Sequence, residues 1–325
     1  MRATGLRTTP LVACALVVLY SAHEAKAEPS VAPLPPGAAS SGHRWASVGI
    51  VAGTYVALYG YTWFAWYDSG ANTSKLQFRD EGYFGRDTYA GGVDKLGHAW
   101  SNYALVRATS QLLRWGGTSR TASLVSSVVL ANAFFTLVEV KDGYKPQYGF
   151  SWQDYQFNIL GEALVVLLEL YPELDRRFDY RLEYFPSKYY RKEFASNGIN
   201  SAEDYSGQRL LIAYHLSSID SLRESKYASP LRFVDLAVGF HADHYKPDAS
   251  DPNPHTQEVF LGVTLNLQRV VDELLSPQGR ADASVGTGTL HFATEVLQVP
   301  FTTLRFDVAT RATPDDVVQG AMSTP

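Results

Sequence analysis

Three apolar segments between Asp94 and Glu162, with charged residues at only a few places, constrain the fold of this chain more than any other feature. Their lengths predict helices at about 94–115, 119–140 and 151–171. The connections between them are short, so successive helices are expected to be antiparallel neighbours. One end of the resulting bundle then gathers the polar residues that begin the first helix, end the second and begin the third.

The composition indicates a folded protein without a nucleic-acid partner. Hydrophobic residues make up 46% of the 325 residues and charged residues 19%, which is unlike a disordered chain. The length predicts about two domains. The formal net charge of −5 lacks the basic excess typical of proteins that bind nucleic acid.

The N-terminus has the pattern of a secretory signal peptide over residues 1–27. A basic start with Arg2 and Arg7 precedes a short apolar stretch, and Ala25-Lys26-Ala27 forms a small-residue cleavage site. The single cysteine, Cys14, ends a lipobox-like Leu-Val-Ala-Cys, but the apolar stretch before it is too short for a good lipidation signal. If Cys14 is removed, thiol catalysis and Cys-ligated zinc are excluded.

The rest of the chain predicts an α+β protein, with an N-terminal bundle of about four apolar helices followed by a small antiparallel β-sheet domain. The first helix, Trp45–Tyr67, is uncharged, and it is either a bilayer-spanning segment or a fully buried helix. The predicted units are a Pro/Ala/Ser linker at 28–43, the helical bundle at 44–172, an aromatic and basic connector at 173–207, the β domain at 208–308 and a disordered tail at 309–325.

Two of these units carry further predictions. The connector mixes tyrosines with arginines and lysines, which suits either a membrane interface or a solvated linker. From residue 208 apolar residues alternate with polar ones, with strands expected at 208–216, 233–241 and 257–267 and weaker ones near 289–297 and 301–308. A helix from Gln268 to Leu275 interrupts them, and the alternating apolar face is predicted to be buried.

The polar residues at one end of the bundle form the candidate site. Asp94 and His98 are four residues apart and share a helix face. Asp154, Asn158 and Gly161 form a similar row on the last helix. Two further carboxylates, Glu139 and Asp142, are predicted at a helix C-terminus, where negative charge is disfavoured. They need compensation from the positive start of the next helix, from a nearby lysine or from a bound cation.

These residues are candidates for three roles, which are catalysis, binding and metal coordination. A neutral histidine near a helix N-terminus suits a general base or a metal ligand. The candidate catalytic residues are His98, Asp94 and Asp154, the candidate binding residues are Lys95, Glu139, Asp142 and Asn158, and the candidate metal ligands are His98, Asp94, Glu139 and Asp142, with a divalent metal as the cofactor. Simpler explanations are also open, because Asp94 suits an N-cap and Ser151-x-x-Asp154 a capping box.

At these positions the chain resembles the YfiM-like family of predicted periplasmic lipoproteins, and more distantly the VanZ-like membrane proteins. The resemblance rests on an ordered set of three motifs, which stand here as Asp94-Lys95-x-x-His98, Glu139-x-x-Asp142, and Gly149-Phe150-Ser151-x-x-Asp154-x-x-x-Asn158-x-x-Gly161. It implies an envelope protein and brings no established activity.

Two functions from different classes follow. The first is a membrane-associated structural or assembly protein, in which the polar residues form a buried network that fixes helix register. The alternative is an enzyme or binding protein for a lipid head group or cell-wall precursor. The expected partners are a membrane surface or lipid and other envelope proteins. Lysine and arginine are not enriched at the site end, which favours periplasmic exposure and the outer membrane over the inner membrane.

Overall fold

The computed structural model describes residues 41–68, 70–86, 88–197, 201–245, 254–275 and 285–312. The predicted signal peptide, Cys14, nearly all of the linker and most of the tail lie outside these residues. The described part is an α+β structure with long helices in its first half and a mainly antiparallel sheet in its second.

Four long helices form the first half of the chain, at the positions that the apolar segments predict. They are α1 (Ser41–Thr62), which continues as a π-helical turn over Trp63–Tyr67, α2 (Val93–Trp115), α3 (Arg120–Asp142) and α4 (Trp152–Leu170). Gly116 and Gly117 separate α2 from α3, and Ser119 caps α3 by accepting a hydrogen bond from the Ala122 amide.

Helix α2 lies at the centre of the helical part because α1, α3 and α4 all pack against it. Its approach to α4 is very close, since a Cβ at Gly161 would lie 2.0 Å from the carbonyl oxygen of Ala99. On its other side α2 packs against the sheet, and one hydrophobic core runs from Tyr103 through Val165 to Leu210. The helices therefore do not form the separate bundle that the sequence predicts.

The second half of the chain builds a six-stranded sheet with the order β7-β3-β4-β5-β6-β8. Two residues of an earlier loop, β1 (Phe78–Arg79), pair in parallel with β2 (Phe150–Ser151) just before α4. The other strands are β3 (Phe178–Tyr184), β4 (Gln208–His215), β5 (Val234–Asp243), β6 (Thr256–Leu265), β7 (Leu297–Gln298) and β8 (Thr303–Ala312). The remaining helices are α5 (Pro172–Asp175), α6 (Lys188–Asn197), α7 (Asp220–Glu224), α8 (Leu267–Leu275) and α9 (Val285–Val296).

Three predicted boundaries need correction. The connector contains β3, whose alternation of aromatic and charged residues is a strand pattern that the basic composition obscured. The predicted strand near 289–297 is mostly α9, which is held by tertiary contacts, including a hydrogen bond from the Trp100 indole to the Val296 carbonyl. Strand β8 extends to Ala312, into the predicted tail, because it pairs with β6 over that length.

The apolar face of the sheet is the largest departure from the prediction. Leu210 and Tyr180 on this face pack against the helices, but Val238 is 54% exposed and Phe306 is 60% exposed. The opposite face is buried and carries small and charged residues together with Leu211 and Phe260. The sheet curls so that Thr303 on β8 donates a hydrogen bond to Glu183 on β3 at 3.2 Å. The period-two pattern was therefore correct for strands but wrong about which face is buried.

Two helical segments are long and apolar enough to cross a bilayer, Ser41–Tyr67 and Arg120–Asp142. Only 11% of the residues in the most apolar stretch of the first segment are buried, and only 28% in that of the second. The first segment is therefore not the fully buried helix that was one of its two predicted alternatives.

Candidate functional site

A buried ammonium group organises the polar end of the helices. Lys95 Nζ lies 2.7 Å from Glu81 Oε2, 2.7 Å from Asp94 Oδ2 and 2.6 Å from Asp154 Oδ1. Three carboxylates from three segments thus match the three donors of one lysine. Although these carboxylates are close enough to hold a metal ion, Lys95 already occupies the position between them.

A second group of ligand atoms lies beside the first. His98, Glu139 and Asp154 each offer one atom, and the three atoms are all within 4.8 Å of one another. His98 Nε2 is 3.8 Å from Asp154 Oδ1, and His98 Nδ1 is 3.8 Å from Glu139 Oε1. The two carboxylates are buried, whereas the His98 side chain is 23% exposed. This group therefore reaches the surface through its histidine.

Two asparagines set the tautomer of His98. The Asn102 amide nitrogen donates to the carbonyl oxygen of His98 at 3.0 Å and to Asn158 Oδ1 at 2.7 Å. Asn158 Oδ1 therefore accepts, and its 3.0 Å contact with His98 Nδ1 requires a proton on that nitrogen. In neutral His98 the lone pair is then on Nε2, which faces Asp154. A second layer of this kind is typical of histidines that bind a metal or a proton.

The start of α4 compensates Glu139. Its Oε2 accepts a hydrogen bond from the Ser151 amide at 3.4 Å, which confirms the positive helix start as one of the predicted sources of compensation. Ser151 Oγ accepts from the Asp154 amide at 3.2 Å, as in a capping box. In a complete capping box the Ser151 amide would donate to the Asp154 carboxylate, but here it donates to Glu139. The Asp154 carboxylate therefore contacts Lys95 and His98 instead.

The structure separates Asp94 and Asp142 from the histidine group. Asp94 is in the first turn of α2, where the N-cap is Gly92, and its carboxylate contacts Lys95. The carboxylate of Asp142 accepts a hydrogen bond from the Tyr67 hydroxyl at 2.9 Å. Of the four predicted metal ligands, His98 and Glu139 therefore share a group, and Asp154, predicted as catalytic, completes it.

Burial and the crowding of carboxylates decide the charges around Lys95. Burial, together with repulsion from Asp154, raises the pKa of Glu81 to about 7, although Lys95 opposes the shift. Burial alone would lower the pKa of Lys95, but Asp94, Asp154 and Glu81 outweigh it and raise this pKa above its ordinary value. Burial likewise opposes ionisation of Asp154, yet His98 and Lys95 lower its pKa below the ordinary value.

Four residues of the region were not among the predicted site residues. Glu81 belongs to the loop that precedes α2, and the pairing of β1 with β2 brings this loop over the site. Asn102 follows His98 by one helical turn, a spacing that could have identified it. Glu162 continues the row of Asp154 and Asn158 by another turn, and Asn132 donates to it at 3.2 and 3.3 Å. No sequence signal marked Asn132.

The histidines of the second half of the chain are dispersed in the structure. His241 is buried on β5, where its Nδ1 lies 3.0 Å from the Gln208 carbonyl oxygen. His255 stacks on Tyr245, with ring centroids 4.4 Å apart. None of these histidines belongs to a group of candidate metal ligands among the described residues.

The region that builds the site is also the region that matches a known family. A family model described as predicted periplasmic lipoprotein (DUF2279) matches residues 80–170. All three motifs and Glu81 are inside the matched range. The match supports an exported, periplasmic protein of uncharacterised function, while the narrower YfiM-like and VanZ-like resemblances receive no support from it. No curated protein and no solved structure matches the chain.

Proposed function

We propose that this envelope protein binds one divalent cation through His98, Glu139 and Asp154. The observation that carries the proposal is Glu139 Oε1, a buried carboxylate oxygen without a hydrogen-bond partner among the described residues. This oxygen lies 3.8 Å from His98 Nδ1, on the imidazole ring of the same group. An unpaired buried carboxylate oxygen is costly, and a cation between it and the imidazole would remove that cost.

The ligand types and spacing fit a transition-metal ion. Imidazole suits zinc and iron, and carboxylates suit manganese as well as zinc. Metal–ligand bonds of about 2.0–2.2 Å to nitrogen and oxygen place neighbouring ligand atoms roughly 3–4 Å apart. The 3.8 Å separation between His98 Nε2 and Asp154 Oδ1 is within that range, and the ligand atoms of the three residues all lie within 4.8 Å of one another. The hydrogen bond from Nδ1 to Asn158 keeps Nε2 available as the ligand nitrogen.

Three protein ligands leave a coordination position open, as in catalytic zinc sites. A cation in this place would polarise a phosphate or carbonyl oxygen that approaches along the exposed edge of His98. Substrates or ligands with such oxygens in the envelope are lipid head groups and cell-wall precursors. We therefore propose an envelope enzyme or binding protein for a molecule of this kind.

A structural role is the second candidate, and the geometry of Lys95 favours it. All three donors of this lysine are used by carboxylates from the loop, α2 and α4. Such a network holds three segments in register without any ligand. In this role the protein would assist assembly or shape of the envelope, and the His98 group would be an extension of the same network.

Metal analysis of the purified protein, with variants, separates the two candidates. After dialysis against zinc or manganese at micromolar concentration, we expect about one bound ion per chain by mass spectrometry. His98→Ala and Glu139→Gln should each reduce retention at least tenfold. His244→Ala is the matched control, because His244 is 29% exposed and its Nε2 lies 3.7 Å from Asp243.

The same samples give opposite results for the two candidates in thermal melts. A cation centre predicts that added metal raises the midpoint of wild-type unfolding and has no effect on His98→Ala. A structural network predicts no metal effect and a loss of stability in His98→Ala, since its partners lose hydrogen bonds worth roughly 1–3 kcal/mol each. Absence of bound metal together with an unchanged melt on metal addition would refute the cation proposal.

A further inference from the structure

Seven large side chains form an apolar surface on one face of the sheet. The strand register aligns them in two rows, which are Leu236, Val263 and Leu304 in one row and Ile212, Val238, Leu261 and Phe306 in the other. Their exposed fractions are between 37% and 69%. The surface, here called the outer sheet face, crosses four strands that are about 4.8 Å apart. Monomeric soluble proteins rarely expose a contiguous apolar surface of this extent.

The opposite face of the sheet is buried and mixes apolar residues such as Leu211 and Phe260 with a network of charged residues. Arg181 is 1% exposed there and forms ion pairs of 2.6 Å with Asp179 and 2.9 Å with Asp235. His215 also contacts both carboxylates, at 3.1 and 2.9 Å. The sheet therefore buries a charged network while it exposes large apolar side chains, unlike a sheet in water, which buries its apolar face. Polar residues inside and apolar residues outside are typical of strands in contact with lipid.

Two helices also expose large apolar residues while hydroxyl residues are among those that they bury. In α1 the buried residues include Ser47 and Thr62, while Val56 is exposed. In α3 Ser123 and Ser127 are buried, and Val129 and Leu137 are exposed. Packing through small and hydroxyl residues, with large apolar residues outward, is the arrangement of helices in bilayers.

Helix α1 and the sheet pack on different sides of α2. Towards the sheet and α9, α2 presents Tyr103 and Arg107, which contact Tyr180 and Glu295. Towards α1 it presents Thr109, whose hydroxyl is 3.3 Å from that of Tyr55. At about 100° per residue, position 109 is roughly 120–160° away from positions 103 and 107 around the helix axis. A second copy docked on the sheet would therefore leave the outward side of α1 uncovered, whereas a bilayer can contact both.

We propose that the outer sheet face contacts the hydrocarbon of a lipid bilayer. The acyl chains of the lipid would cover this face, and the contact would be stabilised by burial of apolar side chains at about 25 cal/mol per Å². The curl of the sheet keeps the ion-paired network of Arg181, Asp179 and Asp235 away from the lipid, because it places these residues inside. This inference is independent of the proposed cation centre, because none of its residues touches that centre.

A fluorescent probe on the outer sheet face tests the proposal in the full-length protein. Val238→Cys, with Cys14 replaced by serine, is labelled with an environment-sensitive dye and reconstituted into phosphatidylcholine–phosphatidylglycerol vesicles. We expect a blue-shifted emission and at least a twofold loss of intensity when the acyl chains are brominated. Ser74→Cys, at an exposed position of the loop before α2, is the control and should be quenched by less than a tenth.

A second labelling position and a disulfide test guard against a variant that does not fold and against contact between two copies. Leu261→Cys, the neighbour of Val238 in the same row, replaces the first variant if its thermal melt shows that it does not fold. If neither labelled position is quenched although the protein floats with the vesicles, the proposal is wrong. If unlabelled Val238→Cys forms an intermolecular disulfide in high yield, and the dye on the labelled variant is not quenched, the face is a contact between two copies of the chain. The proposal is then also wrong.

Discussion

Replacing Lys95 with methionine is the sharpest test of how the polar end of the helices is stabilised. Methionine keeps nearly the length of the side chain and removes the ammonium group. Glu81, Asp94 and Asp154 then remain buried within contact distance of the vacated position, without the cation that they all contact. We expect a folded protein of much lower stability, since unpaired carboxylates are left in a poorly solvated place.

The size of the effect follows from the contacts. Breaking a buried ion pair by removing one partner costs about 3–5 kcal/mol, and here one cation contacts three carboxylates at 2.6–2.7 Å. Protonation of Glu81, whose pKa is already raised to about 7 in the intact protein, limits the loss. We therefore expect about 3–5 kcal/mol at pH 8, which is roughly a 10 °C lower midpoint of thermal unfolding for a chain of this size.

Thermal unfolding in mild detergent, followed by tryptophan fluorescence at pH 8 and pH 5, measures this loss. The difference between variant and wild type should shrink at pH 5, because protons replace the missing ammonium charge on the carboxylates. Lys75→Met is the matched control, since Lys75 is exposed in the loop before α2; it should change stability by less than about 0.5 kcal/mol. Equal stability of Lys95→Met and wild type at both pH values would refute the assignment of Lys95 as the central cation.

Three other predictions concern helix packing, the sheet interior and the location of the site. Gly161→Ala should lower the free energy of unfolding in urea by roughly 1–3 kcal/mol, because its Cβ would lie 2.0 Å from a backbone oxygen of α2. Gly97→Ala is the control and should be neutral or stabilising, because its Cβ would meet nothing closer than 3.7 Å; equal effects of the two variants would contradict the close helix contact. Arg181→Met should cost about 3–5 kcal/mol in the same assay, because it removes the arginine that pairs with two buried carboxylates and leaves them only His215 and Asn266. An unchanged midpoint would show that the network contributes nothing. If the end of the helices that carries the site faces the periplasm, Ser74→Cys should react in intact cells with a thiol reagent that cannot cross the inner membrane. Reaction of Ser74→Cys only after lysis, together with reaction of Ser187→Cys in intact cells, would instead indicate an inner-membrane protein with a cytoplasmic site.

Much of the candidate site was predictable because helices make local and periodic patterns. The spacing of Asp94, Lys95 and His98 on one helix, and of Asp154 and Asn158 on another, follows from 3.6 residues per turn. Short connections between apolar helices then required the polar ends to meet. Lys95, His98, Glu139 and Asp154 do meet, with contacts of 2.6–3.8 Å.

Other parts of the site depend on contacts between segments far apart in sequence. Glu81 reaches Lys95 only because a two-residue strand pair places its loop over the helices. Asp142 turned to Tyr67 rather than to His98, and its position in the sequence is equally compatible with both. The free Nε2 of His98 depends on the orientation of two asparagine amides, which a carbonyl oxygen of α2 determines.

The amino-acid sequence by itself determined the long helices, the strands that alternate in hydrophobicity, and the grouping of polar residues at one end, because each of these is a local pattern of spacing. Only the tertiary structure decided which face of the sheet is covered. Alternation separates an apolar from a polar face but does not tell which of them meets protein and which meets the surroundings. In this chain the curl of the sheet buries Arg181 and Asp235 and leaves Val238 and Phe306 outside.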